Sequence, residues 1–519
     1  MSSTQKAGPA VLVVIDGWGL APKQEKNPIK LAQTPIMDHL WEEYPHAMLG
    51  ASGSAVGLLP HQDGNSEAGH LNIGAGRIVE QDVLKISNSI EKGTFYKNAA
   101  FEQAVQHVTE HESSVHLVGL LTDFNSGHSN PEHLIALVEL FRKRKIEHVY
   151  LHLFTDGRDT EKFSGLTFVS ELEKKLQPNE QIVTIMGRFY GMDRRKSWDR
   201  TELAYDTLTL GTNIPKFSSS EEAIRKAYEE GESDEFITPR IIASDSSKPS
   251  RIHDNDAVIF FNFRSDRARQ LSKVFVQPDF TEKNPKSFTR KKTLENLVFV
   301  AMTDFGPDLD SILTAFPSED LEGTLPYALG DLRQLYIAES EKFAHITFFF
   351  NGGHADPVAG EERMLIPSPN VKSYDETPEM ATPQITDTII EKIENDEYDF
   401  IAANFANADM VGHTGNLEAS LAAVKSIDEN IGRLVKAVLA KNGHLFITAD
   451  HGNVEEIITG TGGVDTEHST NPVPFIIVSN HPHEQKKLGQ GVLGHIAPTV
   501  LHCMEVQKPW QMVFDSIMT

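Results

Sequence analysis

The chain has 519 residues, 39% hydrophobic and 24% charged, the balance of a soluble globular protein and too long for one hydrophobic core, so two or more domains are expected. Lys and Arg number 48 against 74 Asp and Glu, a formal charge of −26. This excludes nucleic acid and anionic membranes as main partners and requires any phosphorylated ligand to meet a local basic pocket. Cys503 is the only cysteine, so no intrachain disulfide forms, and the first apolar run is too short for a signal peptide or a membrane span; a cytoplasmic location is expected.

In chain order, short apolar runs end abruptly in polar, reactive residues. Residues 11–15 lead into Asp16–Gly17–Trp18–Gly19, where glycines let the backbone turn after a carboxylate. Gly64–Asn65–Ser66–Glu67–Ala68–Gly69–His70 holds a hydroxyl in a glycine-bounded turn. It lacks the Gly-x-Ser-x-Gly spacing of a nucleophile elbow, which disfavours a Ser–His–Asp hydrolase. Residues 116–121 end at Thr122–Asp123, residues 149–154 at Thr155–Asp156–Gly157–Arg158–Asp159, and residues 182–186 at Gly187–Arg188, with Asp193–Arg194 close behind. Residues 257–261 lead to Arg264 and Arg267, and the basic stretch 283–292 reads as a solvated loop. Residues 401–403 run into Asn404, followed by Asp409 and His413. Leu417–Ala440 is predicted as one helix, with Leu417, Leu421, Val424, Ile427, Ile431, Leu434 and Val438 stepping along a core face. Residues 445–448 reach Asp450 and His451, and His468 follows in a loop.

Apolar runs of this length, bounded by Gly and Asp and separated by helical stretches, predict buried parallel strands of an α/β protein. Ligands of such sheets sit beyond the carboxyl ends of the strands, where these polar residues fall. Candidate metal and nucleophile residues lie before about 80 and after about 400, with the arginine motifs between. The expected architecture is therefore two α/β domains: a discontinuous outer domain of 1–84 and 317–519, and an inserted domain of 85–316. Hinges are expected at 91–93 and 304–310, with the insert closing on the outer domain to keep water from the reaction.

Asp409, His413, Asp450, His451 and His468 fall in one stretch of about 60 residues. Two carboxylates and three imidazoles form a mixed oxygen and nitrogen ligand set, suited to Mg²⁺, Mn²⁺ or Zn²⁺ and able to hold a pair of ions. Asp409 and His413, four apart, project to one side of a helical turn. Asp450 and His451 are consecutive, so their side chains are expected to diverge and be shared between ions. A serine is a weak nucleophile until activated, and metals are the candidate activators of Ser66. Arg158, Arg188, Arg194, Arg264 and Arg267 offer planar forks that match carboxylate and phosphate.

Taken together, Asp16–Gly17–Trp18–Gly19, Gly64 to His70, Asp156 to Asp159, Gly187 to Arg194, Phe261 to Arg267, Glu341–Lys342–Phe343–Ala344–His345, Asp409 to His413, Thr448 to Asn453 and His468 to Pro474 resemble the cofactor-independent phosphoglycerate mutase family, within the alkaline phosphatase superfamily. The resemblance runs from Val11 almost to the C-terminus. It implies an alkaline-phosphatase-like outer domain, a substrate-binding insert, and interconversion of 3-phosphoglycerate and 2-phosphoglycerate through a phosphoserine, by a monomer acting on this small-molecule substrate. Ser66 matches the nucleophile. Asp409, His413 and His468 match the ligands of one ion, and Asp16, Asp450 and His451, with Ser66, those of a second. Both ions are Mn²⁺ by the resemblance, with Mg²⁺ or Co²⁺ as substitutes. His128, Arg158, Asp159, Arg188, Arg194, Arg264, Arg267 and Lys342 match the substrate-binding set, with Asp159 and Lys342 also catalytic. One motif departs from the family: of its two histidines His128 is kept, while Asn130 stands in place of the second. A related phosphomutase or phosphomonoesterase is the alternative enzyme, and a metal-binding sensor of phosphorylated metabolites the non-enzymatic one.

Overall fold

The computed structural model describes residues 8–21, 26–124, 126–243, 251–306, 308–309, 311–318, 320–458, 463–480 and 488–518. The chain forms two compact units, one of residues up to 81 and from 319 onward, the other of residues 82–318. Residues 91–93 lie inside the second unit, at the end of the helix Asp82–Glu91.

The first unit is built on an eight-stranded sheet in the order Glu361–Ile366, Gln334–Glu339, Phe400–Phe405, Ala10–Ile15, His444–Thr448, Val473–Ser479, His46–Gly50 and Gly491–Val492. Its first five strands are parallel; Val11 pairs with Ile401 on one side and Leu445 on the other. Ala10–Ile15 is buried along its whole length, as expected of a strand covered on both faces. Val473–Ser479 instead returns antiparallel to His444–Thr448, a pairing that the parallel expectation missed. Among the described residues between these two strands the one helical element is the short 3₁₀ turn Val454–Glu456; a parallel return would need a longer crossover.

Leu417–Ala440 is a single helix, capped by Asn416, whose side chain accepts from Ala419 N. Its core face holds Val424, Ile427, Ile431, Leu434 and Val438, but Leu417 and Leu421 are only half-buried. In the first turns it is Ala419 and Ala423 that pack, against Met380, Ala406 and Val411. Small side chains there let the helix approach the segment that carries Asp409.

The second unit has an eight-stranded sheet in the order Leu313–Phe316, Val298–Thr303, Ala257–Phe260, Val115–Leu121, Val149–Thr155, Glu180–Gly187, Arg240–Ile242 and Lys216–Phe217. Only the Glu180–Gly187/Arg240–Ile242 pairing is antiparallel. Phe154, Phe260, Phe275, Phe299 and Trp198 fill its main core. The basic stretch 283–292 is a largely exposed loop after the helix Phe280–Lys283, with several of its cations tied down. Arg290 donates to Val274 O and Pro278 O, Lys291 pairs with Glu202 and Asp206, and Lys292 donates to Thr209 O and Ile252 O. Backbone carbonyls left free at neighbouring helix and strand ends attract these cations.

Candidate active site

In the first unit the carboxyl ends of the parallel strands converge. Asp16 follows Ala10–Ile15; Lys342 lies just beyond Gln334–Glu339; Asp409 sits in the short helix Asn407–Gly412 after Phe400–Phe405; Asp450 and His451 follow His444–Thr448. Ser66 opens the helix Ser66–Ala75, preceded by extended Asn65, whose side chain accepts from Ala68 N. The serine oxygen thus stands at a helix N-terminus, where unpaired N–H groups and the helix dipole favour negative charge. Gly64 permits the approach: a Cβ there would stand 2.2 Å from Ala51 O and 2.7 Å from His451 Cβ.

The side chains meet closely. Ser66 Oγ is 2.9 Å from His451 Nε2, 2.9 Å from Lys342 Nζ and 3.1 Å from Asp16 Oδ1. Lys342 Nζ also donates to Asp16 Oδ1 and Asp409 Oδ2, both at 2.7 Å. Asp409 Oδ1 lies 3.3 Å from His413 Nε2 and 3.2 Å from His468 Nε2. Asp450 and His451 do not diverge as their adjacency suggests: Asp450 Oδ2 is 3.5 Å from His451 Nε2, because the strand has ended and the backbone turns. Each of the three ring systems turns Nε2 inward and engages a backbone carbonyl through Nδ1: His413 with Thr466 O, His451 with Gly452 O and His468 with Gly64 O. Donation from Nδ1–H leaves Nε2 a lone pair, the arrangement that metal-ligating histidines adopt.

Asp16, Asp409 and Asp450 are all buried. Burial, the largest single influence, pushes the carboxyls of Asp16 and Asp409 up, but the Lys342 ammonium together with His451 at Asp16, and with His413 and His468 at Asp409, holds both well below the usual range. Burial opposes the charge of Lys342, and Asp16 and Asp409 more than restore it. His451 is pushed up to about 10, since Asp450 and Asp16 outweigh its burial. His413 is raised by Asp409 against burial, whereas burial and His451 lower His468.

The donor set fits divalent cations. Asp409, His451 and His468 bring ligand atoms within 4.8 Å of one another, as do Asp16, His70 and Asp450. Asp450 Oδ2 is buried without a hydrogen-bond partner. It lies 3.2 Å from His70 Nδ1, but that nitrogen also faces Ser66 O at 2.9 Å, the better acceptor geometry. Three buried carboxylates carry more negative charge than the one Lys342 ammonium neutralises.

In the second unit the arginines gather at strand ends. Asp156, buried after Val149–Thr155, accepts from Arg158 N, Asp159 N and Arg188 Nη1, the last at 2.6 Å. Arg188 is buried and also reaches Asp159 Oδ2 at 2.9 Å, and Ser126 Oγ donates to the same oxygen at 2.8 Å. Arg194 pairs with Asp266 at 2.5 Å, and Arg264 Nε lies 3.4 Å from Asp266 Oδ1. Arg158, Arg188, Arg194 and Arg267 line one cavity of about 230 Å³. Burial, with Arg194, Arg188 and Arg158 adding to it, pulls Arg267 down to about 10, while Arg158, Arg188 and Arg194 each have a carboxylate partner, Arg158 in Glu235 at 3.6 Å. Arg264 and His128 lie beside this cavity rather than in its lining. His128 is buried and held at about 3 by burial and Arg188, so it is neutral at ordinary pH. Asn130 caps the helix Pro131–Lys143, accepting from Glu132 N; an asparagine at this helix start serves the backbone.

Several residues of these sites were not singled out from the sequence. His70 is buried on the helix of Ser66, four positions on, and touches Asp450 and Asn404. The i, i+4 spacing within the serine motif was its available signal. Asn404 Nδ2 donates to Asp16 Oδ2 and Asn453 Nδ2 to Asp409 Oδ1, orienting both carboxylates. Arg200 lines the arginine cavity, pairs with Asp193 and stacks over Phe189 at 3.6 Å; it lies on a helix face with no motif around it.

Comparison with known proteins agrees with this arrangement. Residues 8–508 match the model of the metalloenzyme superfamily. A 2,3-bisphosphoglycerate-independent phosphoglycerate mutase of Clostridium novyi is 44% identical over 516 residues, covering 98% of this chain and 99% of the relative. The enzyme of the same name from Syntrophotalea carbinolica is 45% identical over 519 residues, covering 98% of each. The crystal structure of Leishmania mexicana phosphoglycerate mutase at low cobalt concentration superposes with a TM-score of 0.78 at 29% identity, covering 99% of this chain and 98% of that one. Identity of this order over the full length, with a metalloenzyme model spanning the chain, places it in a family: the chain belongs to the 2,3-bisphosphoglycerate-independent phosphoglycerate mutases of the metalloenzyme superfamily.

Proposed function

We propose that the chain interconverts 3-phosphoglycerate and 2-phosphoglycerate, without 2,3-bisphosphoglycerate, through a phosphoserine on Ser66. The observation that carries this reading is the position of Ser66 Oγ, at a helix N-terminus and 2.9 Å from both Lys342 Nζ and His451 Nε2. Asp409, His413 and His468 would hold one divalent ion, and Asp16, Asp450 and His451 a second beside Ser66. Such ions, Mn²⁺ by the family resemblance with Mg²⁺ or Co²⁺ as substitutes, would supply Lewis acidity that lowers the serine pKa.

Ser66 Oγ attacks the substrate phosphorus in line, and the bond from phosphorus to the glycerate oxygen breaks. The Lys342 ammonium and the helix N-terminus neutralise charge on the transferring group. Arg158, Arg188, Arg194 and Arg267 hold the carboxylate of the glycerate, with Arg264 and His128 flanking them. Asp159, ionised and held by Arg188 and Ser126, acts as the base that takes the proton from the glycerate hydroxyl that attacks phosphoserine, while in the first step the departing glycerate oxygen takes up the proton that Ser66 gives up. Retention of the glycerate separates a mutase from a phosphatase, and a cavity lined by several arginine forks is suited to that retention. The outer unit then serves as the phosphatase-like metal domain and the inserted unit as the substrate domain, in a monomeric cytoplasmic enzyme. Among the described residues no helix is long and apolar enough to cross a membrane.

The test is phosphorus NMR of 3-phosphoglycerate with the purified chain and Mn²⁺ alone. Accumulation of 2-phosphoglycerate to a fixed ratio, abolished by chelator, is the expected result. Release of inorganic phosphate would assign the chain to the phosphomonoesterases instead.

A further inference from the structure

Glu455 takes no part in the chemistry above, yet it is fully buried and accepts from three separate loops. Its Oε2 accepts from Gly19 N and Asn453 N, both at 2.9 Å. Its Oε1 accepts from Asn471 Nδ2 at 2.9 Å and from the Ser469 hydroxyl. A carboxylate is the one side chain able to accept four such bonds, with two oxygens and no proton of its own. Two glycines make room for it: a Cβ on Gly19 would stand 2.1 Å from Oε1, and one on Gly452 2.3 Å from the same atom.

The three loops are those that present the candidate ligands. Gly19 is three residues from Asp16, Asn453 two from His451, and Ser469 one from His468. The loops are also joined by backbone bonds, Val454 N to Gly17 O, Leu20 N to Pro472 O and Ser469 N to Gly452 O, and by side-chain bonds from Gly17 N to Asp450 Oδ1 and from Asn471 Nδ2 to Glu456 Oε2, but Glu455 is the side chain that reaches all three. We infer that Glu455 is a positioning residue that sets the spacing of Asp16, His451 and His468, and so the affinity of the centre for divalent ions. The inference rests on the two-ion reading of this centre. It also accounts for Gly19, Gly452, Ser469 and Asn471, which lie within or beside ligand-bearing motifs but donate nothing to the centre itself.

Glu455→Gln keeps the size of the side chain but sets an amide NH₂ among donors. Calorimetric titration of metal-free protein with Mn²⁺ reads the affinity, the visible spectrum of the Co²⁺-loaded protein reads ligand geometry, and thermal unfolding of the metal-free form reads the fold. Outer partners of metal ligands commonly change affinity by about 10- to 100-fold, and a loss in that range with an altered Co²⁺ spectrum is expected. A variant that loses thermal stability yet binds Mn²⁺ as tightly as wild type, with an unchanged spectrum, would overturn the inference and leave Glu455 a structural residue only. If Glu455→Gln fails to fold, Ser469→Ala removes one donor and keeps the backbone bonds. A loss of about threefold or more in Mn²⁺ affinity is expected there, and wild-type affinity refutes the inference equally. Absence of Mn²⁺ binding by the wild-type chain would instead defeat the two-ion reading on which it rests.

Discussion

Replacing Gly69 by alanine tests whether the placement of Ser66, and not merely its presence, makes the site. Gly69 lies within the helix Ser66–Ala75, and a Cβ there would stand 2.6 Å from Asp450 O and 2.7 Å from Asp450 Cβ. Ordinary contact begins near 3.4 Å, so the helix and the Asp450 backbone must part by 0.8 Å. Neither obstacle is the tip of a flexible chain; one is a backbone carbonyl and the other the root of a buried carboxylate. Two stability effects oppose each other. Alanine is preferred over glycine within a helix by about 1 kcal/mol, while overpacking a close-packed site costs about 1–3 kcal/mol. The net loss of about 0–2 kcal/mol leaves the protein folded. Catalysis suffers more, because Ser66 Oγ is placed against Lys342 Nζ and His451 Nε2 by the same helix, and a misplacement near 1 Å costs on the order of 100-fold in rate. Gly69→Ala is therefore expected to unfold in urea close to wild type while kcat, at saturating 3-phosphoglycerate and Mn²⁺, falls about 100-fold. A kcat within threefold of wild type would refute the reasoning.

Ser66→Ala should abolish turnover and phosphoserine formation while metal content, read by elemental analysis, stays at the wild-type value; measurable mutase activity in that variant contradicts the phosphoserine route. Arg267→Lys keeps the charge but loses the fork, and a rise in KM of about 10-fold with a smaller change in kcat is expected in steady-state assays, on the order of one charge-assisted bond. Burial holds His133 at about 3, far below the free histidine value near 6.5, so the unfolded chain binds the extra proton and stability falls as pH drops below about 6.5. At pH 5.5 the loss is about 1.3 kcal/mol from this residue relative to pH 7, and urea unfolding of His133→Gln should show a pH dependence smaller by that amount; an unchanged dependence speaks against it.

The parts of the structure legible in the sequence were those in which chemistry restricts residue type. Residues 11–15, 149–154 and 445–448 could be placed as strands because a buried strand admits few polar side chains and ends where they begin. Asp409, His413, Asp450, His451 and His468 could be singled out as candidates because few side chains ligate a divalent ion. Where two choices satisfy the same pattern, the sequence was silent. The helix Leu417–Ala440 carries both a leucine stripe and an alanine stripe in its first turns, and only the proximity of Met380, Ala406 and Val411 decides for Ala419 and Ala423. The antiparallel return of Val473–Ser479 was hidden for a similar reason, since a buried apolar run reads alike in either direction.

Glu455 marks the further limit. Its partners are two backbone N–H groups, a hydroxyl and an amide, donors present throughout the chain, and Gly19 lies 436 positions away. Among 74 acidic residues nothing local distinguishes it, for it follows a histidine motif on what reads as an ordinary polar turn. What sets it apart exists only after folding, when its own loop, the Ser469–Asn471 loop and the distant Gly19 loop point their donors at one place. A ligand set can be conspicuous in a sequence while the frame that spaces it is not, because ligands are selected by element and frames by geometry. The glycines at 19 and 452 were the visible trace, since a carboxylate can enter there only where no side chain stands.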